Sequence, residues 1–540
     1  MDKLYYNGTI HSIDKDDNIY SAIGIEGGKI AFLGTDEEAQ RIRAAERINL
    51  KGVCVLPGFI DSHLHLLNYA FVAASYRMFD AVSVKDIIEA GRRRLALMDE
   101  ADETKTRWLF GRGWNHQNFS DEKRMLTRQD LDQISTTRPI LFIRVCGHAA
   151  AVNTKGLEII MKLPQTAAYR NQIDEEKGIL TEASVKLCYN AMDAPSTGQI
   201  KDMILTAQKD FNQKGITSVQ SDNFLSLPGR DRRGIINAHR ELEEEGKLTL
   251  RIREQASFTC YSDMKAFIDE GWRTGQGGQF YSIGPIKLYE DGSLGAKTAL
   301  LHKPYCNQPD SCGLMVHDEE DLQNCVDYAY SHDMQILIHS IGDRSSDMVC
   351  TAYENAIGKY GKKSSRLAIN HLQIVSPDLF DRMKKNDILA YIQPVFVASD
   401  KGTIREFIGE ERERYSYCWK TMLEKGLHCC GSSDSPVEDY DVLKGIQVAV
   451  TREGLAERGR GWYPEERLSV REAVRLFTID NAYGAFEEEV KGSLEIGKLA
   501  DLVVLGEDIF QTDIHRIAEI PVLRTIVGGK EVWKAQTGLR

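Results

Sequence analysis

Eight short runs rich in β-formers recur along the 540-residue chain: "VCVLPGFIDSH", "GITSVQSD", "LTLRIREQ", "IGPIKLYEDG", "MQILIHS", "RLAINHL", "ILAYIQP" and "LHCCGSSD". Amphipathic helix-like stretches such as "EEDLQNCVDYAYSHD" and "SPDLFDRMKKND" fit between most of them. Strands that alternate with helices make parallel sheets, because a parallel neighbour is reached only by a crossover. Eight such units predict a TIM-type (β/α)8 barrel, in which chemistry gathers at the C-terminal ends of the strands. One gap breaks the spacing. Roughly 150 residues separate the first run from the second, against about 20–50 elsewhere, far more than a βα connection needs. Residues of about 68–205 are therefore expected to form a large inserted α/β subdomain after strand 1, with strands of its own such as "RPILFIRVCGH".

The two ends share another texture. "LYYNGTIHSI" and "SAIGIEGGKIAFLG" near the start, and "KGSLEIGKLADLVVLG" and "VLRTIVGGKEVW" near the finish, alternate β-formers with glycine turns. They predict a small β-sandwich completed by both termini, residues 1–56 and 481–540, around a barrel of residues 57–480. A net charge of −12 argues against a nucleic-acid surface. No run approaches the 18 or so apolar residues of a membrane span. "MDKLYYNGTIHSIDKDD" lacks the layout of a signal peptide, and the eleven scattered cysteines contain no CxxC pair. A cytoplasmic protein with reduced thiols is expected, and a homodimer would be in keeping with it. The charged "GEERERYSY" at 409–417 reads as a solvated helix face.

The polar residues on the candidate strands fall in a pattern. His63 and His65 close the first run, Lys287 lies in the fourth, His339 ends the fifth, His371 the sixth and Asp434 the eighth. Each has a dull explanation alone: a structural histidine, an aspartate before Ser-Pro forming a turn, a lysine snorkelling to solvent. Together, at one rim of one barrel, they suit a divalent ion. Imidazole and carboxylate fit Zn²⁺, with manganese, iron or nickel as alternatives. An ammonium beside a dication would be repelled, but burial and neighbouring positive charge lower a lysine pKa. A neutral amine can add carbon dioxide, becoming a carbamate whose two oxygens can bridge two ions roughly 3.5–4 Å apart.

The blocks "LPGFIDSHLH", "GRGWNHQNF", "GHAAAVNTKGL", "IKLYEDGSLGAKTALL", "IHSIGDR", "INHLQIVSPD", "GSSDSPV" and "KGSLEIGKLADLVVLGEDIF", in this order, resemble the amidohydrolase superfamily. More closely they resemble its amidohydrolase 3 branch of YtcJ-like hydrolases, which includes N-substituted formamide deformylases. The resemblance implies that His63, His65 and Asp434 hold the deeper metal, that Lys287 bridges as a carbamate, and that His339 and His371 hold a second metal. It implies hydrolysis of an amide-type C–N bond in a small molecule (amide, formamide or cyclic amide) by a metal-activated hydroxide, with Asp434 as general base and then general acid. Trp114, Asn115 and His148 in the inserted region, and Asp291 just past the lysine, are expected near the substrate. Two rivals remain. A mononuclear deaminase would need a Glu shortly after His339, and "HSIGDRSSD" has none. A non-catalytic scaffold on the same fold would have no use for a full set of ligands.

Overall fold

The structure, a computed structural model, describes residues 1–73, 76–78, 80–99, 107–145 and 149–536. Eight parallel strands form one sheet in chain order. They are β1 (Phe59–Leu64), β2 (Ile216–Ser221), β3 (Arg251–Ser257), β4 (Tyr281–Tyr289), β5 (Ile336–Ser340), β6 (Ala368–His371), β7 (Leu389–Ile392) and β8 (Cys429–Gly431). The sheet curls into the predicted TIM-type barrel, with helices such as α1 (Glu319–Ser331) and α2 (Asp343–Tyr360) in the crossovers. Strands of such a barrel face packed layers on both sides, and their uniformly buried residues follow from that.

The seam between β8 and β1 is joined by side chains. Nδ2 of Asn481 donates to the carbonyls of Ile60 (2.6 Å) and Gly431 (2.7 Å), one on each strand. Ser62 Oγ adds a bond to Gly431 O at 2.9 Å. Past the strand ends, Asp434 N donates to His63 O at 2.9 Å.

The first β-rich run divides at Gly58. Its first half, Cys54–Pro57, belongs to a different sheet, and only Phe59–Leu64 enters the barrel. A Cβ at Gly58 would lie 2.3 Å from the Thr217 side chain, so the crossing between layers has no room for one. Cys54–Pro57 lies between Leu502–Leu505 and Thr9–His11 in a six-stranded sheet that also holds Val522–Val527 and Lys530–Lys534. Early strands Lys3–Tyr6, Ala22–Glu26, Lys29–Gly34 and Glu46–Asn49 form a second sheet. Tyr5, Ile23, Val55, Leu502, Val504 and Ile526 share one core, so both ends of the chain build it. A buried, bidentate pair between Arg251 and Asp501 (2.7 and 3.0 Å) ties β3 to this region.

A second compact unit comprises Leu67–Ile204 and Phe224–His239. Its sheet has the order Ile173–Asp174, Ile179–Thr181, Ala149–Val152, Ile140–Arg144, Leu109–Trp114, Tyr76–Arg77. Phe224–His239, which runs between β2 and β3 in the chain, belongs to this unit as well. The charged stretch 409–417 departs from expectation. Only Glu410–Glu413 is helical, and Glu413 is buried, accepting hydrogen bonds from Arg405 Nε and Trp462 Nε1. Among the described residues no helix is long and apolar enough to cross a membrane.

Because Asn481 satisfies one carbonyl on each side of the seam and Gly431 O keeps a second donor in Ser62, Asn481→Ala should destabilise the protein by about 1–3 kcal/mol, the range for leaving one buried polar group unpaired. Denaturant titration monitored by tryptophan fluorescence measures it. A loss under about 1 kcal/mol would show that Ser62 and the strand ends hold the seam unaided.

Candidate metal centre

β1, β4, β5, β6 and β8 deliver His63, His65, Lys287, His339, His371 and Asp434 to one end of the barrel. His63 and His65, two apart, point the same way, as side chains at i and i+2 must. Nε2 of His63 and Nε2 of His65 each lie 3.2 Å from Oδ1 of Asp434. Ring centroids run 5.2 Å from His65 to His63, 5.7 Å from His63 to His371, and 4.4 Å from His371 to His339. One ligand atom each from His63, His371 and Asp434 falls within 4.8 Å of the others.

Oxygen acceptors fix the remaining ring nitrogens. His63 Nδ1 donates to Gln255 Oε1 (2.5 Å), His65 Nδ1 to the Asp222 carbonyl (3.2 Å), His339 Nε2 to the Gly292 carbonyl (2.9 Å) and His371 Nδ1 to Gln393 Oε1 (2.9 Å). The two glutamines cannot turn over. Gln255 Nε2 is held by Ser62 O at 2.8 Å, and Gln393 Nε2 by Asn370 Oδ1 (3.1 Å) and Ser432 Oγ (2.8 Å). His63, His65 and His339 thus each keep a second ring nitrogen for a metal, the arrangement that metal-binding histidines have. Nε2 of His371 meanwhile accepts from Asn370 Nδ2 at 2.9 Å.

Burial sets the protonation states. It is the main force that lowers the His63 pKa to about 4, assisted by Lys287, and the same force takes His371 well below its ordinary value. Burial opposes charge on His65 too, but Asp434 and Asp222 outweigh it and raise that pKa. Burial disfavours the charged carboxylate of Asp434, yet His63 and His65 overcome this and keep it ionised. Lys287 is fully buried, and burial brings its pKa down to about 8 against the pull of Asp222 and Asp434. Its Nζ has no hydrogen-bond partner, and neither has Asp434 Oδ1.

These residues fit a divalent ion. Two ligand atoms each about 2.1 Å from a tetrahedral centre sit roughly 3.4 Å apart, close to the spacing of both Nε2 atoms from Oδ1. An unbonded buried carboxylate oxygen and an unbonded buried amine are costly unless something else engages them. The backbone concurs: His371 and Asp434 take φ of +84° and +58°, strained for such residues, as is common at functional sites.

The residues expected near the substrate divide differently. Asp291 accepts hydrogen bonds from Leu300 N (3.0 Å), Ile341 N (3.0 Å), Gly342 N (2.8 Å) and Ser345 Oγ (2.7 Å). Its carboxylate is committed to joining the β4 and β5 loops, 3.3 Å from His339 Nε2, so it positions the site and does not reach into the cavity. Trp114 is fully buried in the second unit, stacked on Phe119 with Nε1 donating to Phe142 O at 3.1 Å. Packing accounts for it. Asn115 caps the short helix His116–Asn118 and accepts from Arg144 Nη2 at 3.1 Å. His148 lies outside the described residues.

Sequence reasoning missed Gln255, Gln393, Asp222 and Asp61. Asp61 is buried, and its carboxylate accepts from His63 N (3.1 Å) and Ser433 N (3.2 Å), clamping the first and eighth strands one residue before Asp434. The available signal for Gln393 was a lone glutamine closing the apolar run "ILAYIQP"; Gln255 in "LTLRIREQ" is preceded by Arg251, Arg253 and Glu254 and does not stand out.

A parallel barrel with this rim of histidines, lysine and aspartate defines a metal-dependent hydrolase, and comparison with known proteins narrows the class. The amidohydrolase family (Amidohydro_3) matches residues 46–533, and the chain belongs to it. The chain is 30% identical to the putative amidohydrolase YtcJ of Bacillus subtilis over 99% of its own length and all of that protein. It is 24% identical to the N-substituted formamide deformylase of Arthrobacter pascens over 98% and 97% of the two chains. An uncharacterized metal-dependent hydrolase from Pyrococcus furiosus superposes with a TM-score of 0.79 at 28% identity, covering 94% of this chain and all of that one. The protein is a metal-dependent amidohydrolase, a hydrolase acting on carbon–nitrogen bonds other than peptide bonds.

Gln255→Ala and Gln393→Ala should each weaken metal affinity about 10–100-fold, because the imidazole each one holds is released to turn. Competition with a chromophoric chelator reads the change directly. Unaltered affinity in both would mean that packing alone orients His63 and His371.

Proposed function

We propose that this enzyme hydrolyses an amide, formamide or cyclic amide with a divalent ion, zinc for preference, held by His63, His65, Asp434, His339 and His371, and with Lys287 as a bridging carbamate. The observation that carries the reading is the set of four histidines, each tethered by one nitrogen to an oxygen acceptor and turned towards Asp434 and Lys287. The deformylase among the relatives, which acts on N-substituted formamides by its name, supports the same bond type.

The ion supplies Lewis acidity and lowers the pKa of a bound water from 15.7 towards about 7. The rest is the work of the chain. Asp434, kept ionised by His63 and His65, accepts the proton that water loses as its oxygen bonds to the substrate carbonyl carbon. When the C–N bond breaks, the same carboxyl passes that proton to the departing nitrogen, so one acid–base group serves both halves and the charges balance. Lys287 contributes once its ammonium has lost one proton, carbon dioxide has added to the neutral nitrogen and a second proton has left. A +1 side chain then becomes a −1 ligand, which removes the repulsion between an ammonium and a cation.

Metal analysis of untagged protein purified without chelator should find about two ions per chain, falling in Lys287→Ala. One ion in both proteins would keep the hydrolase and remove the bridge. No ion after zinc and bicarbonate are supplied would overturn the reading.

Carbamate formation requires neutral amine. With the Lys287 pKa at about 8, roughly a tenth of the amine is neutral at pH 7, against well under a thousandth for an ordinary lysine. Capture of ¹³C-bicarbonate by metal-free protein, followed by the carbamate carbon resonance, should rise with pH until about 8 and then level off. A signal that keeps climbing to pH 10 would show that Lys287 titrates as an ordinary lysine.

A further inference from the structure

The candidate histidines and Asp434 share a cavity of about 390 Å³ with Gln373, Asp400 and Glu438. Gln373 is 2% exposed, and its Oε1 has no hydrogen-bond partner. Asp400 ends the helix Phe396–Asp400 that follows β7 and accepts a hydrogen bond from the Tyr417 hydroxyl. Glu438 follows β8, near enough to Ser399 and Asp400 for both to act on its carboxylate. Neither acid has a cationic partner among the described residues. The lysines nearest in sequence are bound elsewhere: Lys401 to Glu457 and Lys444 to Asp439 at 2.5 Å.

These three side chains therefore offer acceptors and negative charge without a cation among the described residues to answer them, in the same cavity as the reacting groups. We infer that Gln373, Asp400 and Glu438 form a subsite for a primary ammonium or guanidinium group of the substrate, so that the enzyme acts on amides carrying a cationic tail. The inference rests on the hydrolase reading above for its carbonyl end and on these three side chains for its cationic end. Burial raises the pKa of both acids, and repulsion from Asp400 raises that of Glu438 further, a tension that a bound cation relieves. The apolar Phe396 and Val437, which also line the cavity, suit a methylene spacer between the two ends. Charge-assisted hydrogen bonds are about twice as strong as neutral ones, so loss of one carboxylate is expected to weaken binding of the cation roughly tenfold.

The test compares N-(5-aminopentyl)formamide with the near-isosteric N-hexylformamide on the metal-loaded enzyme, with Glu438→Gln and Asp400→Asn alongside. Calorimetric titration with hexylammonium and with 1-hexanol gives a readout independent of turnover. The wild type should favour the cationic formamide at least tenfold in kcat/KM, mainly through KM, and each variant should bring the ratio towards one. Hydrolysis of both formamides without preference overturns the subsite and leaves the hydrolase standing. Hexylammonium that binds in preference to hexanol, and more weakly to the variants, supports the subsite even where neither formamide is cleaved. Equal binding to wild type and variants overturns it.

Discussion

Oδ1 of Asp434 sits 3.2 Å from two imidazole nitrogens of the first barrel strand, and that contact exists only if the eighth strand closes onto the first. Closure and site assembly are one event. Asn481 bridges the two strands by their carbonyls, Asp61 bridges them by the amides of His63 and Ser433, and Asp434 N bonds His63 O. All three lie within a few residues of the converging side chains. A shift of one residue between β8 and β1 would turn the histidine pair away and separate it from the carboxylate. The fold is thus specified most tightly where the chemistry is.

The remaining strands divide the labour. β4, β5 and β6 bring groups that face the centre, whereas β2, β3 and β7 end in Asp222, Gln255 and Gln393, which hold histidines by their second nitrogen. Orientation in a buried site must come from such bonds, because a ring free to rotate would spend its time in unproductive positions and an unbonded N–H would be penalised. Within the site the cost falls on Lys287 Nζ and Asp434 Oδ1, which are buried with no hydrogen-bond partner among the described residues. A protein selected for stability alone would not retain them; ion and carbamate would satisfy both.

Periodicity carried the barrel and the strand ends carried the six centre-facing residues, because both depend on residue type at positions that local pattern reveals. The orienting residues depend on register between strands that are not consecutive in sequence. Gln255 could be matched with His63 only after β3 was placed two strands from β1. Asp291 and Trp114 show the converse. Each sat in a motif that resembled a pocket segment, yet four donors commit the carboxylate and a packed core commits the ring. Whether a polar or aromatic side chain faces a cavity or its own support is decided by tertiary packing, which spacing does not encode. Gly58 is a similar case, a single residue at which one apolar run passes from sandwich to barrel because a side chain would strike Thr217.

Charge is layered along the cavity. Its inner end holds neutral histidines, which burial keeps from protonating, beside a lysine near the edge of ionisation. The same cavity is lined by Asp400 and Glu438, two carboxylates with no cationic partner among the described residues. With a dication at the inner end, the field would run from the dication to the two carboxylates across one cavity of low polarisability. Such a field favours a molecule whose electron-rich carbonyl oxygen points to the dication and whose positive end points to the carboxylates, and it disfavours the reverse orientation. Specificity of this kind does not require a tightly shaped pocket, because each charge is discriminated over several ångströms. Of the two acids, Asp400 is held by the Tyr417 hydroxyl, and its charge acts on Glu438, so a counter-charge would relieve both.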